Sequence, residues 1–141
     1  MGSLSLDTNV LIELVNGRQP SVRERFLEAQ HRGETLVMSA LVWEELRFGV
    51  HRGRMRGDDV LHRLMQPVTV VAFERKDADV SAQLRADLEN RGERIGSYDS
   101  LIAAHAVSRG WTMVTANVRE FGRVPGLELV DWTAPVSVRQ E

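Results

Sequence analysis

The chain contains no cysteine, a single lysine and no long apolar run. Without cysteine it forms neither a disulfide framework nor a thiolate metal site, and a cysteine nucleophile is excluded. No stretch approaches the about eighteen apolar residues that a membrane-spanning helix requires, and the first residues lack the pattern of a signal peptide. We therefore expect a soluble, cytoplasmic protein with no membrane partner.

An excess of charge of one sign is also missing. The 18 basic and 20 acidic residues give a formal net charge of −2. The chain as a whole therefore does not attract nucleic acid, and any such contact must be local. The densest basic run is HRGRMRG, residues 51–57. It is either a solvated loop or an edge that contacts phosphate, and both interpretations stay open.

Strand-like and helix-like segments alternate along the whole chain. Strands are predicted near residues 3–6, 36–38, 68–71, 112–114 and 128–130. The helices between them have predicted starts at Ser21, Ser39 and Ser97 and predicted stops at Gly33 and Gly110. This alternation predicts one α/β domain, in which helices cover both faces of a mostly parallel five-stranded sheet. The carboxyl ends of its strands should share one crevice.

Asp7 stands where the first strand meets the first helix, in the stretch LSLDTNVLIELV. Aspartate is a favoured helix cap, because its oxygens satisfy free backbone N–H groups. The carboxyl end of a first strand is also where open α/β sheets bind their ligands. Other acids that converge on this position would favour the second interpretation.

A second acid lies on the helix that is predicted to begin at Ser39. With about 100° of rotation per residue, Glu45 falls within the core-facing arc of this helix and Glu44 falls outside it. The arc is marked by Leu41, Val42, Leu46 and Phe48. A carboxylate on a buried face is costly unless it is paired, protonated or bound to a metal ion. A pairing with a nearby arginine is the alternative to a functional role.

Further polar residues lie near two later strand and helix ends. Ser97 is the expected cap of a helix, which puts Asp99 in the first turn, where the helix dipole favours a negative charge. Asp99 also shares the inward arc of this helix, whereas His105 is interpreted as a boundary residue. Asn117 follows the fourth strand, with Glu120 three residues later. Polar groups from four separate segments are thus predicted to converge on one crevice.

Four segments, in this order and spacing, resemble those of the PIN-domain ribonucleases, particularly the VapC toxins of bacterial toxin–antitoxin pairs. They are LDTNVLI, SALVWEELRFG, SYDSLIAAHA and VTANVREFGRVPGLELVDW. The resemblance runs over residues 4–132 and implies one PIN domain in residues 1–141, with a short tail over 133–141. It implies a Mg²⁺-dependent endoribonuclease, with Mn²⁺ as a substitute ion. The implied partners are a VapB-type antitoxin and a transfer or ribosomal RNA, with the chain as a homodimer or in a heteromer with the antitoxin.

The resemblance also implies roles for individual residues. It places the acidic site on Asp7, Glu45, Asp99 and Asn117, with Thr8, Asn9, Thr115 and Glu120 in support. Asp7 and Asp99 are the expected direct ligands, since Mg²⁺ combines one or two carboxylates with water and phosphate, and Glu45 and Asn117 would bind directly or through water. Many relatives have aspartate in place of Asn117, so we expect one firmly held cation. Candidate RNA contacts are Arg47, Arg52, Arg54 and Arg56.

Other classes of protein fit the sequence less well. A phosphoaspartyl phosphatase typically has a second aspartate where this chain has Asn9, and a phospho-receiver domain has a lysine for which Lys76 is badly placed. The alternative that remains is a catalytically silent module of the same fold that binds a partner protein or RNA. Trp43 and Phe48 flank Glu45 and are candidates to face such a partner, although core packing is commoner. In a functional metal site without its cation, mutual repulsion should raise some carboxylate pKa values.

Overall fold

The computed structural model describes residues 2–55 and 57–134. The strands are β1 (Leu4–Leu6), β2 (Leu36–Ser39), β3 (Val68–Val71), β4 (Thr112–Val114) and β5 (Leu129–Val130). The helices are α1 (Thr8–Asn16), α2 (Pro20–His31), α3 (Ala40–His51), α4 (Asp58–Leu64), α5 (Arg75–Asn90), α6 (Ser97–Arg109) and α7 (Val118–Phe121). The candidate RNA contact Arg56 and most of the predicted tail, residues 135–141, lie outside the described residues. Within the described ranges, no helix is long and apolar enough to cross a membrane.

The sheet is parallel throughout and has the strand order β3-β2-β1-β4-β5. This architecture confirms the predicted fold class. In the central strand β1, Leu4 pairs with Leu36 of β2 on one side and with Thr112 of β4 on the other. The strand order reverses between β1 and β4, and parallel sheets bind ligands in the crevice beyond the carboxyl ends of the strands at such a point.

The hydrophobic core lies between the central strands and the inner faces of the helices. Leu6, Met38 and Met113 of the central strands are fully buried. On α1 the buried residues recur at helical spacing, whereas α6 presents alanines that allow close approach of its neighbours. The core therefore fixes the positions of the helices whose first turns surround the crevice.

Most of the helix boundaries agree with the predictions from the sequence. Ser39 caps α3 as predicted, since its Oγ accepts a hydrogen bond of 3.1 Å from the backbone N–H of Leu41. Gly110 ends α6 with a left-handed φ of 70°. However, α2 begins at Pro20 rather than Ser21, because the fixed φ of proline suits a first helical turn. Helix α6 begins at Ser97 as predicted, although its cap residue is Gly96 rather than Ser97.

His105 is a core residue, so its interpretation as a boundary residue is wrong. Its side chain is 0% exposed, Nδ1 lies 2.8 Å from Oγ of Ser39, and Nε2 lies 3.6 Å from Oδ2 of Asp77. Burial lowers the pKa of His105, although the charge of Asp77 opposes this. Arg109 donates two hydrogen bonds to Asp77 and holds the pKa of that carboxyl well below its usual range. These polar partners come from distant segments, which is why local sequence did not reveal them.

Candidate functional site

Asp7 lies at the carboxyl end of the central strand β1. It occupies the cap position of α1, but its side chain makes no capping hydrogen bond to that helix. Instead, Oδ2 accepts a hydrogen bond of 2.9 Å from Oγ1 of Thr115, which follows β4. Asp7 is only 4% exposed, and this burial raises its pKa, although the hydrogen bond from Thr115 opposes the rise. The crevice between β1 and β4 therefore holds a buried carboxylate that does not serve as a cap.

Glu45 reaches the same crevice from α3. Oγ1 of Thr8 donates a hydrogen bond of 2.5 Å to its Oε1. Glu45 is partly buried and Glu44 is exposed, as the helical pattern predicted. Burial raises the pKa of Glu45, and the charge of Asp7 adds to the rise. Glu44 instead accepts a hydrogen bond of 2.7 Å from the hydroxyl of Tyr98.

Asp99 and Glu120 form a carboxyl pair at the start of α6 and within α7. Burial raises the pKa of Asp99 to about 7, and its hydrogen bond to Glu120 and the charges of Glu120, Asp7 and Glu45 act in the same direction. Burial alone would raise the pKa of Glu120, but the hydrogen bonds that its carboxylate accepts lower it. Asp99 therefore keeps its proton to a higher pH than an isolated aspartate does. The pKa values of Asp7, Glu45 and Asp99 are raised as predicted, but burial is the largest cause at each and the repulsion between the acids only adds to it.

Asn117 orients the carboxylate of Glu120. Its Nδ2 donates a hydrogen bond of 3.2 Å to Oε2 of Glu120, and its backbone N–H donates one of 3.0 Å to Oγ1 of Thr115. The backbone N–H of Gly96 donates to the other oxygen of Glu120, at 3.2 Å. The spacing of Asn117 and Glu120 was the sequence signal for this contact. Glu120, a supporting residue by sequence, thus lies in direct contact with the acids, and metal binding by Asn117 stays a prediction.

The residues around α3 correct one expectation from the sequence. Phe48 was placed on the core-facing arc, but its side chain is 52% exposed. It lines a cleft that it shares with Glu45 and the supporting residue Asn9. The helical arc is therefore buried on one side and open to the cleft on the other.

The candidate RNA contacts near α3 occupy different environments. Arg47 forms an ion pair with Asp58 of α4, and its guanidinium lies 5.9 Å from the ring centre of Trp43. Arg52 lies over the ring of Phe48, also at 5.9 Å. Arg54 lines the cleft that contains Glu45. Arg54 is therefore placed to meet a ligand at the site, whereas Arg47 is engaged within the protein.

The acids suit a hard divalent cation without forming a closed cage. Within residues 2–55 and 57–134, no three acidic or histidine side chains are arranged to surround a metal ion. Asp7, Glu45 and Glu120 are each held by a hydrogen-bond donor of their own. A Mg²⁺ ion needs only one or two carboxylates, because water and phosphate complete its oxygen shell. The oxygen-only donor set and the raised pKa values fit such an ion, since a nearby cation favours the charged carboxylates.

Comparisons with known proteins agree on one family. The profile of the PIN domain matches residues 4–127. The chain is 36% identical over 130 residues to the tRNA(fMet)-specific endonuclease VapC of Shigella flexneri. This alignment covers 91% of the chain and 96% of the Shigella protein. The DNA-bound VapBC of Salmonella typhimurium superposes with a TM-score of 0.83 and 33% identity over 94% of this chain and 99% of that one. VapBC2 of Rickettsia felis, bound to a promoter DNA fragment, superposes with a TM-score of 0.83 and 30% identity. That match covers 92% of this chain and 98% of the Rickettsia chain.

Proposed function

The chain belongs to the PIN-domain family, in its VapC branch, and from that membership we propose that it is an endoribonuclease toxin of a VapBC-type toxin–antitoxin pair. PIN-domain nucleases generally depend on a divalent metal ion, and we propose that Mg²⁺ fills this role here. The observation that carries the proposal is the meeting of Asp7, Glu45, Asp99 and Glu120 at the strand-order reversal.

The four acids divide the work of phosphodiester hydrolysis in this proposal. Asp7 and Asp99 would hold the cation, and Glu120 and Asn117 would orient Asp99. A bound divalent cation polarises the scissile phosphate and makes water a stronger nucleophile near neutral pH. Because Thr8 occupies Oε1 of Glu45, Oε2 is the atom that receives a proton from the attacking water. Burial of Asp7 excludes bulk water from the deepest part of the site.

The partners follow from the same relatives. Solved complexes of similar chains are named VapBC, so a cognate VapB-type antitoxin is the proposed protein partner. The proposed substrate is a transfer or ribosomal RNA. A homodimer, alone or with antitoxin, is the proposed assembly, with one PIN domain per chain.

Cleavage by the purified chain, freed of antitoxin, tests this function. We expect structured RNA to be cut with Mg²⁺ or Mn²⁺ and left intact with EDTA, and double-stranded DNA to be a poor substrate. Cleavage that survives thorough chelation would contradict the metal mechanism. A chain that binds antitoxin but cuts no RNA with either ion would instead be the silent module of the same fold.

A further inference from the structure

A cleft of about 450 Å³ opens between α1 and α3, directly beside the acidic site. Thr8 and Glu45 form part of its wall, so a ligand in the cleft adjoins the groups that are proposed to act on the phosphate. Its volume lies within the roughly 300–1,000 Å³ that is typical of ligand pockets. The cleft is thus large enough for a group attached to the reacting phosphodiester.

Phe48 gives this cleft an aromatic surface. It lies three residues after Glu45 on α3, so both side chains lie on one face of the helix. The 52% exposure of Phe48 leaves its ring accessible, and the guanidinium of Arg52 lies 5.9 Å from the ring centre. Nucleobases in single-stranded RNA stack on exposed aromatic rings and on guanidinium planes of this kind.

The other walls of the cleft carry positive charge and amides. Arg18 follows α1 and Arg54 follows α3, and both line the cleft. In the described part of the chain neither guanidinium has a carboxylate within ion-pair distance, in contrast to Arg47, which Asp58 engages. Guanidinium groups bind phosphate oxygens strongly, often through two hydrogen bonds. The side-chain amides of Asn9 and Asn16, also in the cleft, match the edges of bases.

We propose that this cleft binds one unpaired nucleotide next to the scissile phosphodiester bond. Its base stacks on Phe48, and its phosphate is bound by Arg18 and Arg54. The inference rests on the proposed function and deepens it by assigning the side chains that bind the nucleotide beside the cut, namely Phe48, Arg18 and Arg54. A continuous A-form duplex does not supply such a base, because its bases are paired and stacked on each other.

The distribution of charge favours RNA over a protein segment as the occupant. Arginines line the cleft, and the acids that are proposed to hold a cation lie beside it. Successive phosphates of one strand would therefore meet guanidinium groups and then the cation. A phosphodiester chain carries one negative charge on each nucleotide, whereas an apolar peptide segment would leave the arginines without anions.

Binding measured in EDTA tests the pocket independently of cleavage. The probes are a fluorescent oligoadenylate, an abasic ribose–phosphate oligomer of the same length and a fully paired RNA duplex. Anisotropy should show that the full chain binds oligoadenylate most tightly. Phe48→Leu should weaken this binding by about fivefold to a hundredfold, which is the usual effect of losing one stacked base. Phe48→Tyr should restore it, and Phe48→Leu should not change binding of the abasic oligomer.

The arginine variants separate phosphate binding from stacking. Arg54→Gln should weaken binding of oligoadenylate and of the abasic oligomer by the same factor. Matched controls are Leu27→Ala, which removes a 57% exposed apolar side chain, and Arg63→Gln, since both residues line a different cleft. Neither control should change the affinity for any probe.

The possible outcomes distinguish the pocket from the proposed function. If Phe48→Leu binds every probe as the parent does, or if the parent does not prefer oligoadenylate to the abasic oligomer, the nucleotide pocket is overturned and the cleft is left to a protein partner. If binding depends on Phe48 but the parent cuts no RNA with Mg²⁺, the pocket stands and the proposed nuclease function fails.

Discussion

Asp99 of α6 and Glu120 of α7 face each other beside Asp7, and burial together with the charge of Glu120 raises the pKa of Asp99 to about 7. This pairing is what a cluster of carboxylates adopts without a cation, because one proton removes part of the mutual repulsion. A divalent ion would replace that proton and favour both ionised forms. The pair therefore makes the stability of the fold sensitive to metal and to pH.

Asp99→Asn should respond to Mg²⁺ differently from the parent. In EDTA at a pH above about 7, where Asp99 loses its proton, the variant should melt at the same temperature as the parent or higher, because the change relieves like-charge repulsion. Millimolar Mg²⁺ should raise the melting temperature of the parent much more than that of the variant, since a ligand that binds only the folded state stabilises it. Thermal melts of both proteins, with and without Mg²⁺, measure the two effects.

Asp59→Asn is the matched control for that experiment. Asp59 is also an acid in a first helical turn, in α4, but it is exposed and outside the site. Loss of the Asp59 charge should remove only its interaction with the dipole of α4 and so lower the melting temperature slightly. The rise in melting temperature that Mg²⁺ causes should be the same as in the parent. If Asp99→Asn behaved in the same way, Asp99 would be a helix-terminal acid with no part in metal binding.

The stability of the metal-free protein should depend on pH through Asp99. Its folded-state pKa of about 7 lies above its ordinary value of 3.8. The protonated carboxyl of Asp99 therefore contributes its full share to the free energy of unfolding below the pKa that Asp99 has in the unfolded chain. This contribution is lost as the pH rises through about 7. The groups that face Asp99 are Glu120, Asp7 and Glu45, all acids, so nothing in this set reverses the sign.

Urea unfolding in EDTA at several pH values between about 5 and 8 checks this trend. The free energy of unfolding of the parent, minus that of Asp99→Asn, should decrease as pH rises. Because the pKa of His105 is lowered, its contribution to the free energy of unfolding rises with pH. Both proteins contain His105, so this contribution cancels in the difference. A difference that stays constant across this range would show that Asp99 does not hold a proton in the folded state.

The adjacent acids of α3 should have unequal effects on catalysis. Glu45→Gln should slow RNA cleavage by about a hundredfold or more, as expected when a positioned proton acceptor is lost. Glu44→Gln should leave the rate nearly unchanged, because Glu44 is exposed and engages Tyr98. Single-turnover rates at saturating Mg²⁺ provide the comparison, and equal losses in the two variants would remove Glu45 from its proposed role.

The hydroxyl of Thr115 should matter through the carboxylate of Asp7. Thr115→Val keeps the shape of the side chain but removes the hydrogen bond to Asp7 and the acceptor for the backbone N–H of Asn117. We expect about a tenfold to a hundredfold loss of metal affinity or activity, the usual effect of losing a group that orients a ligand. Thr112→Val is the control, because Thr112 begins β4, just before Thr115, but donates its hydrogen bond to Glu128. Unchanged Mg²⁺ affinity in Thr115→Val would contradict this role.

Local sequence was sufficient for most of the sheet. The predicted strands at residues 68–71 and 112–114 coincide with β3 and β4, because both are short runs of β-branched and apolar residues between turn signals. The cap at Ser39 and the left-handed Gly110 were also predicted, since each depends on the chemistry of one residue.

The residues that were misplaced depend on contacts from far along the chain. The buried ring of His105 has Ser39 and Asp77 as its polar neighbours, and neither residue lies near His105 in sequence. Phe48 has the helical phase of a core residue, but its side chain is exposed in the cleft between α1 and α3. The contact of Glu120 with Asp99 likewise joins α6 to α7. Helical phase predicts which residues share a face, and only the tertiary fold decides what that face meets.

The rate of RNA cleavage as a function of Mg²⁺ concentration, measured for the parent and for Asp7→Asn, tests the central claim most directly. The parent should show cleavage that saturates with Mg²⁺ and stops with EDTA. Asp7→Asn should be slower by about a hundredfold or more at every Mg²⁺ concentration, because the buried side chain that is proposed to bind the cation would carry no charge. The exposed Glu24→Gln should match the parent. Cleavage by Asp7→Asn at the parental rate, with the same Mg²⁺ dependence, would contradict a metal site at the carboxyl end of β1.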